Sequence, residues 1–186
     1  MENLLQRSPI LVGLLLAVLS AETCFAKPAA KDVSYTQWVN YRYGAFFDIP
    51  NGIFEAQAEP ENSSGRAFVA KKYGIRINVY SAYNALSEPL SQMMQEEIAG
   101  LPHGSTVTYR RLTKSWYVFS ARSGNRIIYE KRLLHDDLFN DLYVEYPANE
   151  APWFNPIVTH ISRSFHYQAI PTPADGRGLA GTTPVH

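Results

Sequence analysis

The alternation of apolar and polar side chains is clearest in the stretch from Ser105 to Tyr146. Three successive segments there alternate apolar with polar side chains, namely Ser105–Leu112, Trp116–Leu134 folded back on itself, and Leu138–Tyr146. In the last of them Leu142 and Val144 share one side, and Asp141 lies on the other. A period of two indicates a strand with one face buried against apolar groups.

The connections within this stretch are short and polar, namely Ser123-Gly124-Asn125 and His135-Asp136-Asp137. Such residues favour tight turns, and strands joined so closely must be antiparallel. Arg126–Leu134, the second half of the middle segment, carries apolar side chains on both sides, which is typical of a central strand covered on both faces. The pattern therefore predicts an antiparallel meander.

The remaining periodicities predict further strands near 38–50 and 66–83, and two helices. The first helix is predicted within Leu86–Leu101, where apolar residues recur at spacings of three and four, with Pro89 in its first turn and Gly100 at its end. The second follows the meander, with Asn155 as its N-cap and Pro156 in its first turn. Together these elements predict an α+β fold, an antiparallel sheet of about six to seven strands packed by two helices.

The N-terminus has the pattern of a secretory signal peptide. Arg7 precedes the apolar run Ile10–Leu19, and Cys24-Phe25-Ala26 fits a cleavage site before Lys27. The apolar run is shorter than the roughly 20 residues that a membrane-spanning helix needs. An uncleaved anchor and lipoprotein attachment at Cys24 are the alternatives. Cleavage after Ala26 predicts a protein of the periplasm or the extracellular space, with no integral membrane segment.

Charge and cysteine content reduce the range of functions that the chain can have. Removing residues 1–26 takes the only cysteine, together with one of the 17 basic and two of the 17 acidic residues. The remaining net charge of +1 argues against nucleic acid as a partner, because phosphate binding needs a basic surface. Without cysteine there is no disulfide, no thiol nucleophile and no thiolate metal ligand.

The composition divides the chain into four parts. These are a signal peptide over 1–26, a linker over 27–36, a single domain over 37–166 and a disordered tail over 167–186, which is rich in proline and glycine.

The loop between the strands predicted near 38–50 and 66–83 contains a dense group of polar and charged residues. Glu59, Glu61, Asn62 and Arg66 lie within eight residues of a segment without periodicity. They can form a binding rim, or they can satisfy one another so that the loop keeps its shape. We treat them as candidate binding residues.

Other chemistries have weaker support. The turn His135-Asp136-Asp137 contains metal-ligating residue types, but adjacent turn residues rarely chelate alone, so we predict no metal site and no cofactor. No nucleophile motif is present, and no catalytic residue is predicted. An acid pair drawn from Glu130, Asp141 and Glu145 is the basis of an alternative hydrolase hypothesis. A groove for a sugar or peptide is a further possibility, with lining residues drawn from Tyr41, Tyr43, Tyr80, Tyr83 and Tyr109.

Several segments resemble a known group. Trp38-x-x-Tyr41 and Tyr43-Gly44-x-x-x-Asp48-Ile49-Pro50 resemble the opening of small secreted bacterial domains with a PsbP-like α/β/α sandwich. The run Glu59-Pro60-Glu61-Asn62-x-x-Gly65-Arg66-x-Phe68 is similar to the PEPENxxGRxF-type loop of an uncharacterised family of proteobacterial exported proteins. Ser63 stands where that loop has glycine. The resemblance covers about residues 37–166 and implies the sandwich fold and the periplasm, but no reaction.

The sequence thus predicts an exported, non-catalytic binding or accessory protein with a recognition surface near the 55–66 loop. Its partner is an unknown envelope protein or small ligand. A cell-envelope hydrolase, with an acid pair assembled only in the fold, is the alternative. A subunit of a larger envelope complex is a third possibility.

Overall fold

A computed structural model describes residues 27–170. The predicted signal peptide and most of the predicted tail, residues 171–186, lie outside the described residues. The stretch predicted as a linker contacts the domain, because the indole Nε1 of Trp153 donates a hydrogen bond to the carbonyl of Pro28 (2.8 Å). A 3₁₀ turn covers Ala30–Asp32, and the first strand begins at Tyr35.

Seven strands form the main sheet, which is antiparallel throughout. They are β3 (Glu55–Ala56), β4 (Gly65–Ala70), β5 (Ile75–Tyr83), β6 (Thr106–Leu112), β7 (Trp116–Ser123), β8 (Arg126–His135) and β9 (Leu138–Pro147). Their spatial order is β3-β4-β5-β9-β8-β7-β6. The predicted meander is confirmed as β6 to β9, and β8 and β9 lie inside the sheet.

A second, smaller sheet was not expected from the sequence. It contains β1 (Tyr35–Asn40), β2 (Ala45–Pro50) and β10 (His166–Tyr167), with β2 in the centre. The prediction that 38–50 adds strands to a single sheet was therefore wrong. Phe47 explains the separation, because its fully buried ring packs on Phe68 of the main sheet (5.6 Å between ring centroids). The hairpin thus covers the main sheet instead of extending it.

The two helices, α1 (Leu90–Ala99) and α2 (Ala151–Ser164), lie on opposite faces of the main sheet. The larger core joins α2 and β2 to one face, and a smaller core joins α1 to the other. The larger core includes Phe47, Phe68, Ile77, Leu142, Val144, Phe154, Ile157 and Ile161. The smaller one includes Leu90, Met93, Met94, Tyr117, Phe119 and Ile128. The predicted α+β fold, with helices over a many-stranded antiparallel sheet, is confirmed.

Helix α1 starts next to Pro89 as predicted, whereas α2 starts earlier than predicted. Helix α1 begins at Leu90, because the preceding loop is closed by Asn84, whose side chain hydrogen-bonds the backbone N–H and C=O of Glu88. Helix α2 begins at Ala151, and the side chain of Asn155 accepts a hydrogen bond from the Tyr146 hydroxyl (2.8 Å) instead of capping.

Close backbone contact requires glycine at position 65, at the start of β4. A Cβ atom at this position would lie 1.9 Å from the carbonyl oxygen of Val79 on the paired strand β5. Only glycine fits here without moving the strand. By contrast, a Cβ atom on Gly100, which follows α1, would lie 3.4 Å from its nearest neighbour, the Glu96 carbonyl oxygen.

We predict that Gly65→Ala lowers the free energy of unfolding by about 1–3 kcal/mol, the usual cost of overpacking. Urea denaturation followed by circular dichroism measures this, with Gly100→Ala as the matched control. Equal denaturation midpoints for the two variants would contradict the packing assigned to Gly65.

Candidate functional site

A cleft of about 420 Å³ opens on the α1 side of the main sheet. Its walls are α1, the loop 84–88 and the neighbouring parts of β5, β8 and β9. Ser87 in that loop has a φ of +53°, the left-handed region that non-glycine residues seldom occupy. The Asn84 contacts with Glu88 hold the loop in this shape, and Leu86 at its tip is 80% exposed.

Aromatic rings line the outer part of the cleft. Tyr80 and Tyr83 on β5 are 46% and 69% exposed, and the ring centroid of Tyr80 lies 6.0 Å from that of Phe139 on β9. Exposed rings at the mouth of a cleft offer both apolar area and π faces to a ligand.

Carboxyl groups and one guanidinium line the rest. The charged lining residues are Glu88, Glu96, Glu97, Asp141 and Arg132. Register explains why two of them meet, since Arg132 on β8 is the direct cross-strand partner of Asp141 on β9. Residues paired in this way point to the same face of a sheet.

Arg132 is the centre of this charged group and is only 7% exposed. Its Nη2 donates to Glu97 Oε1 at 2.7 Å and to Asp141 Oδ2 at 2.9 Å. The guanidinium also lies 4.7 Å from the ring centroid of Phe139. Within the described residues, Arg132 Nε and Asp141 Oδ1 are buried without a hydrogen-bond partner. The floor of the cleft therefore has one hydrogen-bond donor and one acceptor without a partner.

Glu130 lies beside this group, two residues before Arg132 on the same strand. Its Oε1 accepts a hydrogen bond from the Tyr117 hydroxyl at 2.6 Å and lies 3.9 Å from Arg132 Nη2. Burial raises the pKa of the Glu130 carboxyl, and the nearby Asp141 charge raises it further, against the opposing effects of the Tyr117 hydroxyl and Arg132. Burial likewise raises the pKa of Asp141, although Arg132 opposes this.

The carboxylates also have the spacing of a possible metal site. Ligand oxygens from Glu97, Glu130 and Asp141 lie within 4.8 Å of one another. Arg132 Nη2, however, already lies within 3.9 Å of an oxygen of each of these three groups. The guanidinium therefore supplies the positive charge at this point, and a metal would have to displace it.

The acids considered for a hydrolase are only partly brought together. Glu130 and Asp141 belong to the charged group, but Glu130 does not line the cleft. Glu145, further along β9, pairs instead with Arg126 at 2.5 Å.

The predicted binding residues of the 55–66 loop contact mainly the loop itself. Arg66 donates from Nε to the carbonyl of Gln57 (2.8 Å) and lies 3.5 Å from Glu59. Asn62 Oδ1 accepts from the Ser64 N–H at 3.1 Å. Glu61 is exposed and makes no hydrogen bond or ion pair among residues 27–170. Whether these residues bind anything stays a prediction.

This loop nevertheless ends beside the cleft. The carbonyl of Ser64 accepts from the Ser81 N–H at 2.7 Å, and Gly65 pairs directly with Tyr80. Ser63, where the family-like loop has glycine, has a φ of +51°, so the position does favour glycine.

The five tyrosines considered for a groove separate into different regions. Tyr80 and Tyr83 line the cleft, and Tyr43 touches Tyr83 with ring centroids 6.1 Å apart. Tyr41 is in the turn after β1, and Tyr109 is on the outermost strand β6.

Sequence reasoning missed Arg132 and Glu97 as members of a site. The available signal was the pair Glu130 and Arg132, which alternates with Ile128 and Leu134 on one side of a strand predicted to be covered on both faces. Charges on such a strand are expected to be paired with one another or with a covering element.

Comparison with known proteins supports the fold. The chain is similar to the solution structure of cyanobacterial PsbP (CyanoP) from Synechocystis sp. PCC 6803, with a TM-score of 0.54 and 11% identity. The similarity covers 73% of this chain and 93% of that chain. No family model matches the chain, and no curated protein matches it in sequence. The predicted PsbP-like fold is confirmed, while membership of an exported proteobacterial family stays a prediction.

Neither α1 nor α2 is long and apolar enough to span a bilayer, and no other helix among residues 27–170 is.

We predict that Arg132→Leu destabilises the protein by about 3–5 kcal/mol at pH 7, because it leaves buried carboxylates without their counter-charge. Acidification should restore part of the loss, since protonation neutralises the same carboxyl groups. Urea denaturation at pH 7 and pH 5 measures both effects. A loss below about 1 kcal/mol, as for an exposed ion pair, would contradict the role assigned to Arg132.

The raised pKa of Glu130 determines how the stability of the protein changes with pH. Its folded-state pKa lies above the ordinary value of 4.5, so the folded protein binds this proton more tightly than the unfolded chain. The contribution of this tighter proton binding to the free energy of unfolding is complete below pH 4.5. It is lost as the pH rises through the folded-state pKa.

Wild type should therefore lose stability relative to Glu130→Gln as the pH rises from about 4.5. Urea denaturation at a series of pH values gives the difference between the two proteins. Tyr117→Phe, which removes the hydroxyl that favours the carboxylate, should make the loss larger. Parallel pH profiles for wild type and Glu130→Gln would show that burial does not perturb this carboxyl.

Proposed function

We propose that the protein is an exported, non-catalytic binding protein, and that its recognition site is the acidic cleft beside the 55–66 loop. The observation that carries the proposal is the meeting of exposed aromatic rings with an excess of carboxyl groups in one cleft. Tyr80 joins the two parts, because it lines the cleft and pairs with Gly65 at the end of the loop.

The composition of the cleft favours a cationic ligand. Four carboxyl groups and one guanidinium line it, and Arg132 is already bonded to two of the four, Glu97 and Asp141. Glu88 and Glu96 remain to attract a positive charge. The exposed faces of Tyr80 and Tyr83 suit the same ligands, because aromatic faces attract ammonium and guanidinium groups. The ligand class is an organic cation, either a small amine or a lysine or arginine side chain of a partner.

The same geometry supports a non-catalytic role. A general acid and a nucleophile need access to substrate, but Glu130 lies beneath the cleft against Tyr117, and Asp141 is held by Arg132. No serine, cysteine or histidine is among the residues that line the cleft within the described part of the chain.

A hydrolase is the second candidate, favoured by one observation. Three carboxylate oxygens lie within 4.8 Å, and burial raises the pKa of two of the groups. A carboxyl group with a raised pKa can serve as the general acid of glycoside hydrolysis. Turnover of a chromogenic glycoside that is lost in Asp141→Asn would favour this candidate over binding.

Export rests on the N-terminal pattern, in which Arg7 precedes the apolar run Ile10–Leu19 and a small-residue cleavage site. N-terminal sequencing of the protein recovered from the periplasm tests it directly. A chain that begins at Lys27 is the expected result.

We predict that choline, arginine amide and spermidine bind the purified protein saturably, as measured by isothermal titration calorimetry at low salt. Tyr80→Ala should weaken this binding by about 2–30-fold, the range that corresponds to a cation–π contribution of about 0.5–2 kcal/mol. Tyr109→Ala is the matched control, because Tyr109 is similarly exposed (51% against 46%) and lies on β6.

Two further variants locate the site. Glu96→Gln should weaken binding, since it removes a cleft carboxylate without touching the Arg132 contacts. The double variant Glu61→Ala/Arg66→Ala tests the predicted loop rim, and a loss of affinity there would extend the site onto the loop. Equal affinities for wild type and Tyr80→Ala, or no saturable binding of any of the three cations, would contradict the proposal.

A further inference from the structure

Strands β6 and β7 carry a group of basic residues that lies outside the proposed cation-binding cleft. No acidic residue occurs between Glu97 and Glu130, and this interval contains Arg110, Arg111, Lys114, Arg122 and Arg126. Arg126 pairs with Glu145. The other four make no ion pair with a carboxylate among residues 27–170. A chain that is neutral overall thus concentrates unpaired positive charge on one hairpin.

The same hairpin forms an edge of the main sheet. Among residues 27–170, strand β6 is outermost in the sheet with β7 as its only neighbouring strand, and six of its seven residues are exposed. The backbone of an edge strand carries N–H and C=O groups that no neighbouring strand pairs.

Register identifies which groups these are. The Thr113 N–H donates to the Trp116 carbonyl at 2.9 Å. Hydrogen-bonded pairs alternate along an antiparallel ladder, so Arg111 bonds to Val118 on β7. The backbone groups of Arg110 and Leu112 consequently point outward from the sheet.

Side chains on both faces of this edge combine charge with apolar surface. Arg110 and Leu112 lie on the α1 face, and Tyr109 and Arg111 lie on the other face. Tyr109 is 51% exposed and Leu112 is 42% exposed. The Arg111 guanidinium lies 5.3 Å from the ring centroid of Trp116.

We propose that β6 binds an extended acidic segment of a partner protein, which adds to the main sheet as a further strand. The outward backbone groups of Arg110 and Leu112 supply the hydrogen bonds of strand addition. The unpaired Arg110, Arg111 and Lys114 select acidic side chains, and Tyr109 and Leu112 contact apolar ones between them.

Charged side chains on an edge strand can also serve only to prevent edge-to-edge aggregation. That role explains Arg110 and Arg111 but gives no reason for an exposed tyrosine and leucine on the same strand. Anionic membranes and nucleic acids would use the charge alone and would not need the free backbone edge. The backbone contribution therefore distinguishes the proposal from these alternatives.

The test uses a fluorescein-labelled peptide of about nine residues that alternates glutamate with valine, long enough to pair with β6. Fluorescence anisotropy at 100 mM salt should show saturable binding. The same peptide with N-methyl groups on alternate residues keeps its charge but cannot pair along one edge, and it should bind at least about tenfold more weakly.

Protein variants supply the second arm. Arg110→Gln/Arg111→Gln should weaken binding by about tenfold, whereas Lys31→Gln/Arg163→Gln, which removes two exposed bases elsewhere, should change it less than about twofold. Circular dichroism checks that both double variants are folded.

Three results would overturn the proposal. Equal affinity for the parent and N-methylated peptides would show that only charge is recognised. Tighter binding to phosphatidylglycerol vesicles or to duplex DNA than to the peptide would assign the surface to another class of partner. The absence of saturable peptide binding would also contradict it. If Arg110→Gln/Arg111→Gln then aggregated, the two arginines would serve to prevent edge-to-edge aggregation.

Discussion

The buried guanidinium of Arg132 is the interaction on which the α1 side of the molecule depends. It links β8 to β9 through Asp141 and links the sheet to α1 through Glu97. A buried charge is tolerated only when it is paired and hydrogen-bonded, so helix and strands must keep their mutual position. On the opposite face α2 and β2 cover a large apolar core, and the half-buried Lys131 ammonium donates to the carbonyls of Ser162 and Phe165 at the end of α2. Each helix is therefore linked to the sheet by a charged side chain of β8 as well as by apolar packing.

The cleft follows from this arrangement. Helix α1 packs over β6 and β7, which leaves the neighbouring face of β5 and β9 partly open with Tyr80, Phe139 and Asp141 at its border. Since Arg132 is already paired with Glu97 and Asp141 at the floor, the acidic and aromatic groups at the mouth are available to a ligand. The basic edge of β6 lies at the end of the same sheet. We infer that a nearly neutral protein presents two surfaces of opposite charge, each suited to a different ligand.

Local patterns were sufficient to predict much of the fold. The two-residue period and the polar turns identified the meander, and the two-sided apolarity of Arg126–Leu134 correctly placed β8 inside the sheet. The separate small sheet could not be predicted this way, because the period of β2 is the same whether it extends a sheet or covers one. The charged group was missed for a similar reason. Glu97 and Arg132 are far apart in the sequence, and only the packing of α1 brings them together.

The most direct test of the central claim is to map a bound cation on the protein surface. Two-dimensional ¹H–¹⁵N spectra of the protein titrated with choline would show which amides change. We predict saturable shifts confined to Tyr80, Tyr83, the loop 84–88, the first turns of α1 and the neighbourhood of Asp141. Shifts that are centred on the 55–66 loop away from Tyr80, or spread over acidic side chains without saturation, would contradict this prediction.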